Sequence, residues 1–399
     1  MNLKKKKNIS WIVLSLSVLI GLHLKLFSIG SFQVSLGFLV IPIWVYKTYR
    51  ISIFKLTFFE KILLLFLVIY PFLPGEIRNW SEYFNTYGQY FITYYMVIRC
   101  INKRPLYSKI EVEKMLYVFQ RILLTTVVVQ YILVVVAGQI SFFNIFQKYQ
   151  LYYSLDYNLA IGRMKAFYLE PSYLGFVTLS VFWTRLYLNS DKVLLLTPNV
   201  IYTIIILFFA KSSSSFLGFS IVYIYYIMSN TSLQKKPLMA FLYIGIIAFL
   251  VVRYWDSISI LLRLEELSGK VDTPVSGFMR VTLPIQLLQK MINEGFFLGK
   301  TFGQLDEYVF RMTLGYTERS ISNSLFLILG YWGILNIIPL SWVIYYFVFK
   351  ANPIQKSFIV LTFFSLNNSG AFVTSQFGFL AFLLPLFVFN FRYLNNYRQ

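Results

Sequence analysis

Residues 115–138 read MLYVFQRILLTTVVVQYILVVVAG and carry one charged side chain, Arg121. A helix of that length rises about 36 Å, which exceeds the roughly 30 Å hydrocarbon core of a bilayer. Similar apolar runs recur along the 399 residues, which are 58% hydrophobic and 13% charged, with a mean hydropathy of +0.65. Soluble domains contain about 25% charged residues. The sequence therefore predicts an all-α polytopic integral membrane protein.

Apolar segments along the chain predict about twelve transmembrane helices. Lys4–Lys7 before the first segment resemble the basic start of a signal peptide, but no small-residue cleavage site follows Ile20. We therefore expect an uncleaved first helix and a single transmembrane domain over residues 1–399. The predicted spans are 9–24, 31–46, 56–73, 86–101, 115–138, 171–188, 193–210, 214–229, 238–252, 325–349, 357–372 and 376–391.

Basic residues are distributed among the connections as the positive-inside rule requires. Every second connection, beginning with the N-terminus, is rich in Lys and Arg and holds few acidic residues, namely Glu111, Glu113 and Asp191. This pattern predicts that both termini are cytoplasmic. The formal net charge of +20 then reflects membrane topology, so we expect no nucleic-acid partner.

Side chains that bind transition metals are scarce in this chain. It has one cysteine, Cys100, and one histidine, His23, which excludes an internal disulfide framework and a metal site built from several cysteines or histidines. We expect no metal and no cofactor. Any chemistry must then depend on carboxylates, hydroxyls, amides and cationic side chains.

Two outward connections are long, residues 139–170 and residues 253–320. The second holds eight of the sixteen acidic residues together with eight basic ones, although spanning a bilayer requires no such segment. Apolar residues recur at helical spacing between Pro284 and Gly295, which predicts a short helix in this large outer loop. That helix is either part of a functional site or an amphipathic helix lying on the membrane surface.

The segment GRMKAFYLEPSYLG, residues 162–175, stands at the outer mouth of the sixth predicted span. Pro171 suits the first turn of that helix, which places Glu170 at its N-terminus, where the macrodipole stabilises an anion by about 0.3–1 kcal/mol. One interpretation is a capped helix with Arg163 and Lys165 reaching for lipid head groups. The other is a site in which Glu170 accepts a hydrogen bond from an attacking hydroxyl group.

Four sequence patches occur in an order that resembles one family of membrane proteins. They are Arg163 before Glu170-Pro171-Ser172; the serine-rich turn 211–218; Gly277-Phe-Met-Arg280 followed by the glycine-rich segment 295–303; and Asn323-Ser-Leu-Phe leading to Gly330-Tyr-Trp-Gly333. On the twelve-span layout, this order is similar to that of bacterial Wzy-type O-antigen and capsule polymerases and the related O-antigen ligases. Many relatives, ligases especially, have histidine where this chain has Ser322, which favours a polymerase.

The resemblance implies a glycosyltransferase of the bacterial cytoplasmic membrane. Such an enzyme polymerises oligosaccharide repeat units carried on undecaprenyl diphosphate into O-antigen, capsular polysaccharide or exopolysaccharide. It works on the outer face and transfers the growing glycan to a new lipid-linked repeat. The implied partners are membrane lipid, the lipid-linked oligosaccharide, a flippase and a chain-length regulator.

The outward cations suit the chemistry of such a donor. Departure of the diphosphate develops negative charge, which Arg and Lys stabilise without a metal ion. The same cations at membrane edges often only contact lipid head groups. We predict Glu170, Arg163 and Arg280 as catalytic residues. The predicted substrate-binding residues are Lys165, Lys211, Arg319, Asn323 and Tyr173.

Other functional classes stay open at this level. A lipid-linked oligosaccharide flippase or other transporter also has about twelve spans, although transporters usually show two similar halves and charges within the spans. An O-antigen ligase is a second alternative. A membrane O-acyltransferase is disfavoured because such enzymes generally depend on a histidine within the membrane region.

Overall fold

The fold is given by a computed structural model of the chain. It describes residues 3–21, 25–29, 32–51, 55–69, 72, 80, 100, 105–138, 162–168, 171–189, 197–229, 245, 283–301, 304–312 and 323–368. The predicted spans 86–101, 238–252 and 376–391 lie outside these residues apart from Cys100 and Gly245. The regular secondary structure of the described part is helical except for one β-hairpin.

The secondary-structure elements follow one another as short and medium helices. The hairpin strands, β1 (Lys25–Ile29) and β2 (Phe32–Ser35), are antiparallel. A π-helical segment, Ile132–Val136, extends α4, and a 3₁₀ segment, Gly333–Asn336, separates α10 from α11. The α-helices are α1 Leu3–Gly21, α2 Leu36–Tyr49, α3 Phe58–Ile69, α4 Lys109–Tyr131, α5 Pro171–Leu188, α6 Pro198–Ala210, α7 Ser213–Ser229, α8 Leu283–Asn293, α9 Gln304–Met312, α10 Ser324–Trp332, α11 Ile337–Phe349 and α12 Pro353–Asn368.

The helices correspond closely to the sequence predictions, with two corrections. The predicted second span begins at residue 36 instead of 31, because β2 occupies its first residues. The predicted span 325–349 is broken after Trp332, where Gly333 takes a φ of 50° that L-residues seldom adopt. The sixth predicted span, 171–188, coincides with α5, and the short helix expected between Pro284 and Gly295 is present as α8.

Among the described residues, one helix is both long enough and apolar enough to cross a membrane. Together, α4 and its π-helical extension form a helix over Lys109–Val136, 28 residues that are long and apolar enough to cross a bilayer. Two shorter apolar helices are Ser10–Gly21 and Pro198–Ala210. Large apolar side chains such as Phe58, Val136 and Phe349 remain exposed on the helices, which suits a hydrocarbon environment.

Two compact units make up the chain. The first unit comprises residues 1–66, 84–212 and 375–399, and the second comprises residues 67–83 and 213–374. In the first unit, α1 packs on α2 and α4, while α4, α5 and α6 pack against one another. In the second unit, α7 and α10 pack on α12, and α8 packs on α10.

Polar side chains join α1 to α2 inside the first unit. The indole of Trp11 donates to Thr48 Oγ1 at 3.0 Å, and the indole of Trp44 donates to Ser15 Oγ at 2.9 Å. All four side chains are buried. Buried indoles require a hydrogen-bond partner, so these two bonds fix how α1 lies against α2.

Helix α4 begins at a complete capping box. Ser108 Oγ accepts from the backbone N–H of Glu111, and the Glu111 carboxylate accepts from the backbone N–H of Ser108 at 2.8 Å. This motif satisfies two of the N–H groups that a helix start leaves unbonded. The apolar residues that follow recur every three or four positions and are fully buried; they are Val112, Met115, Leu116, Phe119, Leu123 and Val127.

A charged network is buried where α4, α5 and α6 meet. Arg185, which is 5% exposed, donates to the Glu113 carboxylate from Nε at 3.1 Å and from Nη2 at 2.7 Å. Its Nη1 donates to Gln120 Oε1. The amide of Gln120 in turn donates to Thr203 Oγ1 at 2.9 Å. The sequence suggests only a basic connection at Arg185, whereas the structure shows an ion pair between α4 and α5 that belongs to a hydrogen-bonded network reaching α6.

Removal of the Glu113 carboxylate leaves the buried Arg185 guanidinium without its counter-charge. For Glu113→Ala we expect the free energy of unfolding to fall by about 2–4 kcal/mol, somewhat less than for a fully buried pair, because the Glu113 side chain is 24% exposed. Thermal unfolding of the purified protein in detergent measures this change.

The exposed Arg311–Glu307 pair of α9 provides the matched control for this substitution. Glu307→Ala should alter the stability by less than about 1 kcal/mol, because exposed pairs contribute little. Equal effects of Glu113→Ala and Glu307→Ala would show that the buried network does not hold α4 to α5.

Candidate functional site

The segment 162–168 is held against the C-terminal ends of α4 and α6. Gln130 Oε1 accepts from the backbone N–H groups of Lys165 and Ala166, each at 3.0 Å. Gln130 Nε2 donates to the carbonyl of Ala166 at 3.4 Å. The N–H of Met164 donates to the carbonyl of Phe209 at 2.9 Å. One buried amide side chain therefore substitutes for the regular hydrogen bonds that this turn of backbone lacks.

The backbone of this segment takes conformations that need such support. Ala166 has a φ of 50°, in the left-handed region that costs a residue with a Cβ about 1 kcal/mol or more. Gly162 has a φ of 71°, which glycine adopts at no such cost. The strained turn at Ala166 persists because Gln130 bonds both its N–H and its carbonyl.

Lys211 lies next to the same segment. It ends α6 in the left-handed conformation, with a φ of 47°, and its backbone N–H donates to the carbonyl of Leu207 at 3.0 Å. A Cβ added to Gly162 would lie 3.2 Å from Lys211 Nζ and 3.8 Å from Val135 Cγ2 in the π-helical segment. Gly162 thus allows the Lys211 ammonium to approach the backbone just before Arg163.

The segment that carries Arg163 and Lys165 therefore adjoins Lys211, and we call this part of the first unit, with these three predicted cationic residues, the cationic corner. Lys165 is 2% exposed, Arg163 is half-buried, and Lys211 is exposed. They come from two connections between helices that lie more than forty residues apart in the sequence. Clustered cations with restricted access to water attract an anion more strongly than solvated ones.

Tyr168 and Tyr173 lie beside this corner. Burial raises the pKa of the Tyr168 phenol, so this side chain stays neutral at physiological pH. Tyr173 is half-buried in the first turn of α5, which begins at Pro171 as the sequence predicts. Glu170, predicted to stand just before that helix, lies outside the described residues.

In the second unit the structure brings two sequence patches together. The N–H of Lys300 donates to the carbonyl of Gly330 at 2.8 Å, and the N–H of Ile334 donates to the carbonyl of Phe297 at 2.7 Å. A Cβ on Gly299 would lie 2.6 Å from the Gly330 carbonyl oxygen, so only glycine permits this approach. The glycine-rich segment of the outer loop is thus bonded to the helix break at Gly333.

The ammonium of Lys300 lies over aromatic rings in the same loop. Its Nζ is 3.1 Å from the ring centroid of Phe296 and 4.6 Å from that of Tyr308. Both rings attract the cation through their quadrupoles. Burial, together with the negative charge of Glu294, raises the pKa of the Tyr308 phenol, which therefore remains protonated at physiological pH.

Asn323, predicted to bind substrate, has a structural task. Its Oδ1 accepts from the backbone N–H of Phe326 at 2.8 Å and so caps the start of α10. The residue is 3% exposed. Contact between Asn323 and a substrate stays a prediction. Arg280 and Arg319 lie outside the described residues.

Sequence reasoning missed the residues that support the site. Gln130 lies within an apolar span, and a polar side chain capable of three hydrogen bonds there is the signal that could have identified it. Lys300 belongs to the glycine-rich patch but received no role. Among the described residues, no group of three or more histidine, cysteine, aspartate or glutamate side chains is placed to hold a metal ion.

Apolar helices that carry a cationic corner define a helical membrane protein suited to an anionic ligand. Comparison with protein families makes the class specific: the model of the WcaD colanic acid polymerase family matches residues 10–390, and the chain belongs to this family. It is therefore a polymerase of the inner membrane that joins lipid-linked oligosaccharide repeat units into exopolysaccharide. The match offers no support for the flippase and ligase alternatives. No curated protein and no solved structure matches the chain.

Loss of the Gln130 side chain should disorganise the cationic corner. Gln130→Ala leaves two buried backbone N–H groups without an acceptor, at a cost of about 1–3 kcal/mol each. We expect much shorter polysaccharide, at near-normal protein abundance, when chain length is analysed by gel electrophoresis.

Thr126→Val is the control on the same helix, because the Thr126 hydroxyl bonds only to the carbonyl of Ile122 one turn earlier. This variant should make polysaccharide of normal length. Normal chain length in Gln130→Ala would mean that the position of segment 162–168 does not matter for polymerisation.

Proposed function

We propose that this polymerase uses a repeat unit carried on undecaprenyl diphosphate and acts on the outer face of the cytoplasmic membrane. The observation that supports the proposal is the cationic corner, where the segment that carries Arg163 and Lys165 adjoins Lys211. A diphosphate presents several anionic oxygens close together, and clustered guanidinium and ammonium groups bind such oxygens strongly.

The proposed reaction transfers the growing glycan to a new lipid-linked repeat. A hydroxyl oxygen of the acceptor sugar forms a bond to the anomeric carbon of the donor as the bond from that carbon to the diphosphate breaks. The diphosphate leaves with the electron pair of the broken bond, and Arg163 and Arg280 stabilise its charge. The proton of the acceptor hydroxyl passes to water. Glu170 orients the acceptor hydroxyl by accepting its hydrogen bond.

Binding of the substrate is assigned to the remaining predicted residues. Lys165 and Lys211 contact the phosphates from the cationic corner, and Arg319 contributes a further positive charge from the large outer loop. Tyr173, at the first turn of α5, offers a ring on which a sugar face can stack. Asn323 offers its amide Nδ2, since its oxygen caps α10.

The proposed topology places one transmembrane domain, residues 1–399, across the membrane with about twelve spans and cytoplasmic termini. The charge distribution along the connections supports this orientation. The cationic corner then lies on the outer side, where a flippase would deliver the repeats and a chain-length regulator could reach the growing polymer.

Reporter fusions test the topology. Fusions after Asn144 and Lys270 should read as external, and a fusion after Lys236 should read as cytoplasmic, because basic connections are retained inside. Alkaline phosphatase and a fluorescent protein supply the two signals. A cytoplasmic signal at Lys270 would place the large loop on the wrong side for the proposed reaction.

Substitutions at the proposed catalytic residues test the chemistry. Arg163→Ala removes a charge from the cationic corner, and Arg280→Lys keeps the charge but removes the planar guanidinium. Each should reduce polymerisation by about a hundredfold or more, as loss of a charge-stabilising donor does in other enzymes. Glu170→Gln should also abolish long chains if the carboxylate must be anionic. The readout is polysaccharide length at equal protein abundance in the membrane.

The control is Lys270→Ala, in the same outer loop but outside the sequence patches, which should make normal chains. The inactive variants should accumulate single lipid-linked repeats on the outer face, because delivery of repeats precedes their joining. Repeats trapped on the cytoplasmic leaflet would instead indicate a flippase. Normal chain lengths in both Arg280→Lys and Glu170→Gln would remove the proposed catalytic roles.

A further inference from the structure

An apolar surface in the second unit runs from the large outer loop onto the broken span. It consists of Ile285 and Ile292 on α8, Phe297 and Leu298 in the glycine-rich segment, and Ile334 and Ile337 beyond the helix break; we call it the loop strip. These side chains are 44–57% exposed. The hydrogen bond from Ile334 N–H to the Phe297 carbonyl joins the backbones of the two segments.

Helix α8 has three distinct sides. Leu283, Leu287 and Met291 are buried, and this side explains the packing of α8 on α10. Gln286, Lys290 and Asn293 form an exposed polar side. On the third side Ile285 and Ile292, seven residues apart, are exposed, and the exposed Gln289 lies between them. Packing within the second unit thus leaves both isoleucines exposed.

The loop strip lies partway along a predicted membrane span. Its bonds reach Gly330 and Ile334, which follow the start of α10 at Ser324 by six and ten residues. At 1.5 Å per residue Gly330 is about 9 Å from the start of α10, and half of a hydrocarbon core is about 15 Å thick. Ile334 follows the break at Gly333, so the helical rise does not give its depth. If α10 begins at the outer surface, Phe297 and Leu298 are at the depth of the outer leaflet.

The irregular backbone of the glycine-rich segment has hydrogen-bond partners at that depth. Irregular backbone at membrane depth is tolerated only where its N–H and carbonyl groups find partners within the protein. The Lys300 N–H and the Phe297 carbonyl find theirs on the broken span, at Gly330 and Ile334. The close approach at Gly299 and Gly333 makes both bonds possible.

We propose that the loop strip is seated in the outer leaflet of the membrane and is covered by lipid acyl chains. Lipid is the occupant that fits, because the glycine-rich part of the strip is hydrogen-bonded to a predicted transmembrane span. The exposed Lys290 on the polar side of α8 offers an ammonium to the phosphates of lipid head groups. Contact between the loop strip and lipid would hold the outer loop at the depth at which a lipid-linked substrate presents its diphosphate.

Site-directed fluorescence tests whether the loop strip contacts lipid. Cys100→Ser removes the one native cysteine, and Phe297→Cys or Ile292→Cys then carries a neutral fluorophore in the full-length protein reconstituted into phosphatidylcholine vesicles. Gln286→Cys, on the polar side of α8, is the matched control. We expect lipids with doxyl groups on their acyl chains to quench positions 297 and 292 several-fold more than position 286. Iodide in the aqueous phase should show the opposite order.

Three results would overturn the proposal. Equal quenching of positions 297 and 286 by the doxyl lipids would place the strip in water. Protection of position 297 from both quenchers would mean that protein covers it. Lipid quenching that is lost when undecaprenyl phosphate is added would assign the strip to the substrate's polyprenyl chain instead of bulk lipid.

The orientation of the loop is tested separately, because assigning the loop strip to the outer leaflet rests on the topology proposed above. A membrane-impermeant maleimide added to intact spheroplasts should label Gln286→Cys. Labelling only after lysis would refute the topology. The quenching in vesicles would still show whether the loop strip contacts lipid.

Discussion

Backbone hydrogen bonding in a medium without water is the constraint on which the rest of this structure depends. Within hydrocarbon an unbonded N–H or carbonyl group costs several kcal/mol, so helices dominate and each irregular segment must obtain partners from neighbouring parts of the chain. Gln130 provides them for the turn at Lys165 and Ala166. Residues 330 and 334 provide them for the glycine-rich segment.

These bonded irregular segments also carry side chains that are predicted from the sequence to be functional. The turn held by Gln130 brings the segment that carries Arg163 and Lys165 next to Lys211. The cost of the left-handed Ala166 is offset by bonds from a buried amide. The chain belongs to a polysaccharide polymerase family, which implies a lipid-linked oligosaccharide as the substrate.

A buried polar network lies toward the opposite ends of the same helices. Arg185, Glu113 and Gln120 form a polar network that joins α4, α5 and α6 near the ends remote from the cationic corner. A buried ion pair contributes little net stability compared with apolar packing, but it penalises any shift that separates its partners. The network therefore fixes the register of the helices whose other ends carry Lys165 and Lys211.

Local sequence patterns were sufficient for the helices and for the family. Apolar runs with few charges determine α1, α4, α5 and α7, because burial in hydrocarbon depends on composition and length alone. Pro171, Ser108 and the apolar spacing after Pro284 determine where helices begin. The order of short patches around Arg163, Arg280 and Asn323 led to the polymerase family, which the family match confirms.

Contacts between distant segments were decided only by the tertiary structure. The hairpin at residues 25–35, the break at Gly333 and the approach of Gly299 to Gly330 depend on which backbones meet, and no local pattern records that. The same holds for Gln130 and Arg185, whose sequence context suggests an apolar span and a basic connection. Their roles arise from hydrogen bonds to residues 35 and 72 positions away, because packing of the helices, not proximity along the chain, brings those partners within reach.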